Sequence, residues 1–497
     1  MKKRTRQTMN RFRIRVIAFV IVFAMALSVA ASMPMDVFAE GQTSGKCGDN
    51  LTWNFNKSTG TLTISGTGDM WEEKEWNPED DDSEDEEDQY HYPWTEIDDE
   101  IKNIVLEENV TSIGYQAFYG YDIVSIDIPA SVNRIDASAF VCECSLKNIN
   151  VDNNNQYYTS RDGVLYNKSM TKLVRYPGGK ELSKYTIPST VTTIGKNAFS
   201  YCWESKLEYL FIPNSVKVIE DNAFEACGIE KLVLPNSVEV IGKEAFCWCE
   251  SFKGEFVIPD SVKSIGHDAF NRCFFESVII GDGLSTIPEN MFVECFYLKS
   301  VKLGKSVKHI KRAAFIDLEI TSIDLPDSLI TIGEGAFAGC DLKSLAIPDS
   351  VTTIDEYAFQ NCSEMTNITI SKSVTSIGDG AFDQCSKLKD VYYTGSEDDW
   401  KKITIGNENE PLVDASKHFK FTEPDDSEII REKVVEIKFR SDTKKAKQTN
   451  RSLTHSFYYN DKFFYYNNKE YHNDLAVMSL GLDLASWSTS ESDGNYM

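Results

Sequence analysis

Twelve cysteines and six histidines are the residues of this 497-residue chain whose chemistry could supply a nucleophile, an acid–base group or a soft metal ligand. Eight of the cysteines stand three residues after a phenylalanine: Cys202, Cys227, Cys249, Cys273, Cys295, Cys340, Cys362 and Cys385. Cys142, Cys144 and Cys247 fall within one or two positions of that register, and only Cys47 lies outside it. A thiol recurring at a fixed step marks a packing position, where cysteine behaves as a small buried hydrophobe. Disulfides and metal binding stay open as alternatives. A bridge needs Cα atoms within about 7 Å, which spacing alone does not show. The pairs Cys142/Cys144 and Cys247/Cys249 are Cys-x-Cys, without a second pair at zinc-site spacing. The histidines (His91, His267, His309, His418, His455, His472) share no motif and read as surface or loop residues. No catalytic constellation, cofactor fingerprint or metal-ligand set emerges, so no catalytic residue, cofactor or metal is expected.

Acids are the most abundant charged groups. Asp and Glu number 77 against 51 Lys and Arg, a net charge of -26. That balance argues against a nucleic-acid partner, which needs a clustered positive surface. Residues 72–88 hold twelve of the acids and one base, Lys74. They lack the spaced ligands and fixed glycine of an EF-hand, so 72–90 reads as a self-repelling, disordered loop. With 41% hydrophobic and 12% aromatic residues, the chain as a whole has the composition of a packed protein.

What positions these residues is a repeat. Phenylalanine recurs at 118, 140, 199, 224, 246, 270, 292, 315, 337, 359 and 382, at steps of 22 to 25 except for one step of 59. The long step holds an insertion at about 152–187. Before each unit's proline runs apolar-x-x-apolar-x-apolar, as in Leu207-Glu-Tyr-Leu210-Phe-Ile212 and Leu342-Lys-Ser-Leu345-Ala-Ile347. Its last three positions alternate like a strand with one buried face. Pro213, Pro235, Pro259 and Pro348 are among those that end the strand. One unit cannot bury its apolar face alone, so units must stack. The expected fold class is an α/β solenoid over 101–413: a parallel sheet on the concave face, one strand per repeat at about 4.8 Å spacing, and turns and short helices opposite.

The unit Ile347-Pro-Asp-Ser-Val-Thr-Thr-Ile-Asp-Glu-Tyr-Ala-Phe359-Gln-Asn-Cys362 resembles the BspA-like class of bacterial leucine-rich repeats, whose motif reads roughly I-P-x-S-V-x-x-I-G-x-x-A-F-x-x-C. Departures are local: Met291 replaces Ala, and Gly281 and Gly304 replace Pro. The segment Val391–Ile403 resembles the family's usual last repeat, which would cover the solenoid's open edge. The resemblance implies an exported or surface protein, several members of the class being adhesins.

The flanks carry their own signals. Seven basic residues precede an apolar run from Val16 to Leu27, and Val37-Phe38-Ala39 has small residues at the positions of a cleavage site. This order predicts a secretory signal over 1–39, too short in its apolar part to span a membrane. Its removal deletes seven bases and Asp36, taking the charge from -26 to -32. No further span is expected. Residues 47–71 read as a hairpin turning at Gly60, an N-terminal cap laying Trp53, Phe55, Leu62 and Ile64 on the first coil. Asp162-Gly163 predicts a second hairpin inside the insertion. Residues 414–450 read as a charged linker. Residues 451–497 are aromatic-rich, with a helix-like stretch Tyr471–Leu482 in which Asn473 or Asp474 is a candidate N-cap. That tail is similar to the leading segment of lipase-like α/β-hydrolase domains, but no G-x-S-x-G elbow is present to carry a triad.

Solenoids offer an extended sheet for binding. By register, Phe211, Val233, Val257 and Ile279 lie side by side on four successive coils, flanked by Tyr209, Glu230 and Lys231. A contiguous exposed apolar patch marks a contact surface, although β-branched residues also favour strands for their own sake. The expected function is exported adhesion, with an extracellular protein or glycoprotein as partner. Two other readings remain: the targeting half of a secreted hydrolase, and a structural component of a surface matrix. The sequence leaves the oligomeric state open.

Overall fold

A computed structural model describes residues 43–71, 92–120, 123–141, 145–203 and 205–421, the side chains of 96 and 98 aside, and the backbone of 458–460, 463–466 and 469–472. The predicted signal, the acidic run, Cys142, Cys144 and most of the tail lie outside these residues. The chain forms two compact units, Met1–Phe421 and Thr422–Met497.

In the first unit each apolar-x-apolar step becomes a short strand with one face inward. Asn103–Leu106, Ser125–Ile128 and Asn148–Val151 lie parallel, with Ile104, Ile126 and Ile149 paired in register and buried. A proline turn ends the strand. The carbonyls of Pro213, Pro235 and Pro348 each accept a bond of 3.1 Å from the valine N–H three residues on. The chain then makes a second two-residue strand. Thr193–Ile194, Val218–Ile219, Val240–Ile241 and Ser264–Ile265 form a parallel ladder.

Short helices were expected opposite the first sheet; that face carries this second ladder and tight turns instead. The reason lies at Ala-Phe. The residues two before and two after the phenylalanine take left-handed backbone, as at Asn222 (φ 53°) and Ala226 (φ 48°), or Asp268 (φ 56°) and Arg272 (φ 58°). Such residues break a right-handed helix. Among the described residues the α-helices are Glu397–Trp400 and Glu410–Asp414, both beyond the last repeat phenylalanine. The first is set by a capping box in which Ser396 and Asp399 bond reciprocally. Beyond them Ser416–Phe419 pairs parallel with Asp390–Tyr393, so the first sheet runs on past 413.

Two columns fill the interior. Phe199, Phe224, Phe246 and Phe270 stack with ring centroids 5.0, 5.0 and 5.2 Å apart. Tyr176 of the insertion extends that stack from below at 5.0 Å. The second column is the thiols. Cys249, Cys273, Cys295 and Cys340 donate to the carbonyls of Phe224, Phe246, Phe270 and Phe315 at 3.0 to 3.1 Å. Every described cysteine is buried.

The hairpin Leu51–Asn56 and Thr61–Gly66 turns at Gly60 (φ 63°) and joins the first sheet, Thr61–Gly66 pairing parallel with Asn103–Leu106. Trp53 and Ile64 close that end of the core. In the insertion, Tyr158–Arg161 and Val164–Asn167 pair antiparallel about Asp162-Gly163. Its alternating side chains straddle two cores: Leu165 belongs to the N-terminal one, Val164 and Tyr166 to the long one.

The second unit contains a three-stranded antiparallel sheet, Tyr458–Asn460, Phe463–Tyr466 and Lys469–His472. Tyr471 and His472 therefore lie in a strand, where aromatic strand formers crowd together; the rest of the helix-like segment, with Asn473 and Asp474, lies outside the described residues.

Candidate functional site

Outward positions of the first sheet build the site. Tyr209–Phe211 pairs with Lys184–Thr186 on one side and Lys231–Leu232 on the other. Tyr209 therefore stands between two lysines, whose Nζ atoms lie 5.0 Å (Lys184) and 5.4 Å (Lys231) from its ring centroid. This holds two cations over a half-buried aromatic face. Leu210 and Leu232 point inward and anchor the strands, which leaves Phe211 52% and Val233 79% exposed. Glu230 is exposed beside them, and its N–H and that of Lys231 both bond to the Glu208 carbonyl.

Thr186, the pairing partner of Phe211, also lines an open cleft of about 480 Å³. Arg161 and Asp162 from the insertion turn, with Tyr185, Ile187 and Pro213, form its walls. The insertion thus adds a recess to one edge of the apolar face.

The strands that carry the expected row of four side chains fall in two separate sheets. Lys231–Leu232 does not pair with Glu255–Ile258, which instead starts a new three-stranded sheet with Ser277–Ile280 and Ser300–Lys302. In that sheet Val257 (43% exposed) pairs with Ile279, itself half-buried. The step from Phe246 to Phe270 is 24 residues, and the extra length turns through Gly254 at φ 75° before the strand begins. Continuity is kept by the second ladder and by Phe246, whose N–H bonds to Ala269 at 2.8 Å.

Sequence reasoning missed an exposed aromatic edge beside the cysteine column. Trp203, Trp248, Phe296 and Tyr297 are all about half exposed or more. Arg272 lies 4.1 Å over the Trp248 ring and pairs with Glu250 and Glu294. The signal was present in the aromatic neighbours of the cysteines, Cys202-Trp203, Trp248-Cys249 and Cys295-Phe-Tyr297.

The remaining polar chemistry is inert or open to solvent. Burial pushes the Cys273 thiol up to about 11 and those of Cys295 and Cys340 to about 12, the opposite of an activated nucleophile. His418 contacts Asp390 at 2.8 Å on the exposed end of the sheet, stacked on Tyr392. His309 Nδ1 lies 3.0 Å from Thr331 Oγ1 on the second ladder. Among the described residues no helix is long and apolar enough to cross a membrane.

No curated protein compared with the chain matches it. Among solved structures, a leucine-rich repeat protein from Eubacterium ventriosum is 23% identical, covering 69% of this chain and 94% of its own, with a TM-score of 0.38. A leucine-rich cell surface protein from Faecalibacterium prausnitzii is 23% identical over 73% of this chain and 98% of its own, with a TM-score of 0.37. The pneumococcal vaccine antigen PcpA is 18% identical over 78% and 100%, with a TM-score of 0.40. The sequence profile of the BspA type leucine rich repeat region matches residues 97–176, 176–298 and 285–407. Those spans coincide with the coils whose strands, proline turns and phenylalanine stack are described above, and the chain belongs to the BspA-type leucine-rich-repeat family.

Proposed function

We propose that the chain is an exported bacterial adhesion protein that uses the outward face of its first sheet to hold an extracellular protein or glycoprotein. The observation that carries the reading is the patch made by Phe211 and Val233, exposed at 52% and 79%, the first ending the strand Tyr209–Phe211 and the second directly following its paired strand Lys231–Leu232. Side chains so open add nothing to the core, and a contiguous apolar surface is favoured only when something covers it. Lys184 and Lys231 about Tyr209 give the patch a cationic rim on a chain of net charge -26, which suits an acidic partner. Export rests on the basic, apolar and small-residue order of residues 1–39.

The test is binding of the full chain to immobilised extracellular proteins, glycoproteins and microbial surfaces, compared with Val233→Asp plus Val257→Asp. Both side chains are exposed, so thermal stability should stay within about 0.5 kcal/mol. Affinity should fall at least about tenfold, as expected when a charge enters the centre of an interface. If every partner found binds the double variant as tightly, this face is not the site. Because the two valines lie on separate sheets, the single variants assign the loss to one sheet or both.

A further inference from the structure

The first sheet is interrupted between Lys231–Leu232 and Glu255–Ile258, so the two coils that carry these strands lack ladder bonds on that side. The same two coils carry Cys227 and Cys249, four and six residues before those strands. Both cysteines are buried, at 2% and 0% exposure, and their sulfurs lie 3.5 Å apart. That is closer than the spacing of about 4.8 Å between paired strands, so the two side chains lean together. Further along the column the thiols turn to the backbone instead. Cys273, Cys295, Cys340, Cys362 and Cys385 each donate to the carbonyl of the phenylalanine one coil back, at 3.0 to 3.2 Å.

The backbone holds both residues at bridging distance. The N–H groups of Asn222, Phe224 and Ala226 bond to the carbonyls of Lys243, Ala245 and Cys247 at 2.9, 2.8 and 2.7 Å. These bonds run up to the residue before Cys227 and keep equivalent Cα atoms of the two coils about 4.8 Å apart. Bridged cysteines have Cα atoms roughly 4.4–6.8 Å apart, so no backbone movement is needed. Closure brings the sulfurs to about 2.05 Å, a movement shared by two side chains. Cys249 then gives up its bond to the Phe224 carbonyl, which keeps a donor because the Cys227 N–H also bonds to it, at 3.1 Å.

We propose that Cys227 and Cys249 form a disulfide that fastens these two coils at the break in the first sheet. The oxidant is another disulfide, RSSR, of the kind that oxidising extracellular compartments supply. The export proposed above provides that setting, whereas the pairing rests on the structure alone. One cysteine thiolate attacks RSSR, forming a mixed disulfide and expelling RS⁻. The second thiolate attacks the protein-side sulfur of that mixed disulfide and expels the other RS⁻. In sum the two thiols give up two electrons and two protons, which leave as two RSH. Buried thiols ionise poorly, so the exchange takes place while the coils are still open. The closed bridge is then shielded inside the core. Each coil contacts chiefly its neighbours, so a covalent tie at an interrupted junction resists the parting of the solenoid there.

The experiment refolds the reduced full chain in a buffer of reduced and oxidised glutathione, blocks the remaining thiols with iodoacetamide in denaturant, and digests it without reduction for mass spectrometry. The proposal expects a peptide pair joined through Cys227 and Cys249, with Cys273, Cys295 and Cys340 alkylated. The melting midpoint of the oxidised chain should exceed that of the reduced chain by at least about 2 °C. That gap should vanish in Cys227→Ser and persist in Cys295→Ser, circular dichroism confirming that both variants fold. The wild-type peptide map decides the pairing even where a variant fails to fold. Cys227 and Cys249 both alkylated in the refolded wild type, or Cys249 joined to Cys273 instead, overturns the bridge. A midpoint gap that survives in Cys227→Ser overturns its fastening role.

Discussion

Phe315 is fully buried, its ring 5.5 Å from Phe292 and 5.2 Å from Phe337. Phe315→Ala would leave a ring-sized gap between two coils that the flanking rings cannot both fill. Stability should drop by about 3–5 kcal/mol, measured by denaturant unfolding. A loss under about 1 kcal/mol would mean the coils close over the gap. Phe211, of the same residue type, carries no such load because it points outward. That difference was legible from register alone: inward and outward residues alternate along a strand, and the repeat says which is which. The left-handed turn residues were less legible. Asn197, Asn222, Asp268 and Asn290 share one position, and Asn and Asp tolerate that conformation, yet Glu244 and Tyr357 adopt it too with no local preference to announce it.

At the scale of elements, the insertion shows what local sequence settles and what it leaves. Asp162-Gly163, at φ 53° and 76°, forms the turn that its residue types demand. Nothing local foretells Arg175, which pairs across the hairpin with Leu165 and is 2% exposed. Its Nη1 donates to the Asn197 carbonyl and to Ser200 Oγ, while Nε and Nη2 have no partner. The Asn197 carbonyl also accepts from Ser200, so removing the guanidinium strands no acceptor. Arg175→Met should therefore raise stability, by about 1–3 kcal/mol, because a buried charge without a carboxylate costs more than its two hydrogen bonds return. A lowered melting temperature would show that those bonds outweigh the burial. The break between Lys231–Leu232 and Glu255–Ile258 is likewise a product of chain length between elements. The sequence pattern of each strand is intact, and only the spacing from Phe246 to Phe270 hints that the ladder stops.

For the whole molecule, the thiol column links many coils to one solution variable. An unfolded thiol ionises near 9.0, whereas folded Cys273 is held at about 11 and Cys295 and Cys340 at about 12 by burial. Between those values the unfolded chain has shed protons that the native chain keeps. Stability is therefore fully present below pH 9 and falls as pH rises towards 12, by about 1.4 kcal/mol per pH unit for each such thiol. Urea midpoints should be level up to about pH 8 and drop steeply by about pH 10, and a flat profile through that range would contradict a buried, protonated column. Each repeat contacts chiefly its neighbours, so the loss should spread along the solenoid.

The sequence by itself determined the period, the strand, the proline turn, the inward phenylalanine and cysteine, and so the solenoid, because each is a local or repeating property that one unit displays in full. It also indicated Phe211 and Val233 as outward residues. Only the tertiary structure decided which outward residues are neighbours. Small differences in coil length shift one turn against the next, and two extra residues between Phe246 and Phe270 accompany the end of the ladder between Lys231–Leu232 and Glu255–Ile258. The same stacking brings Glu244 to His267 and Asp268, residues one repeat apart whose meeting depends on the register between coils and on nothing either coil contains alone.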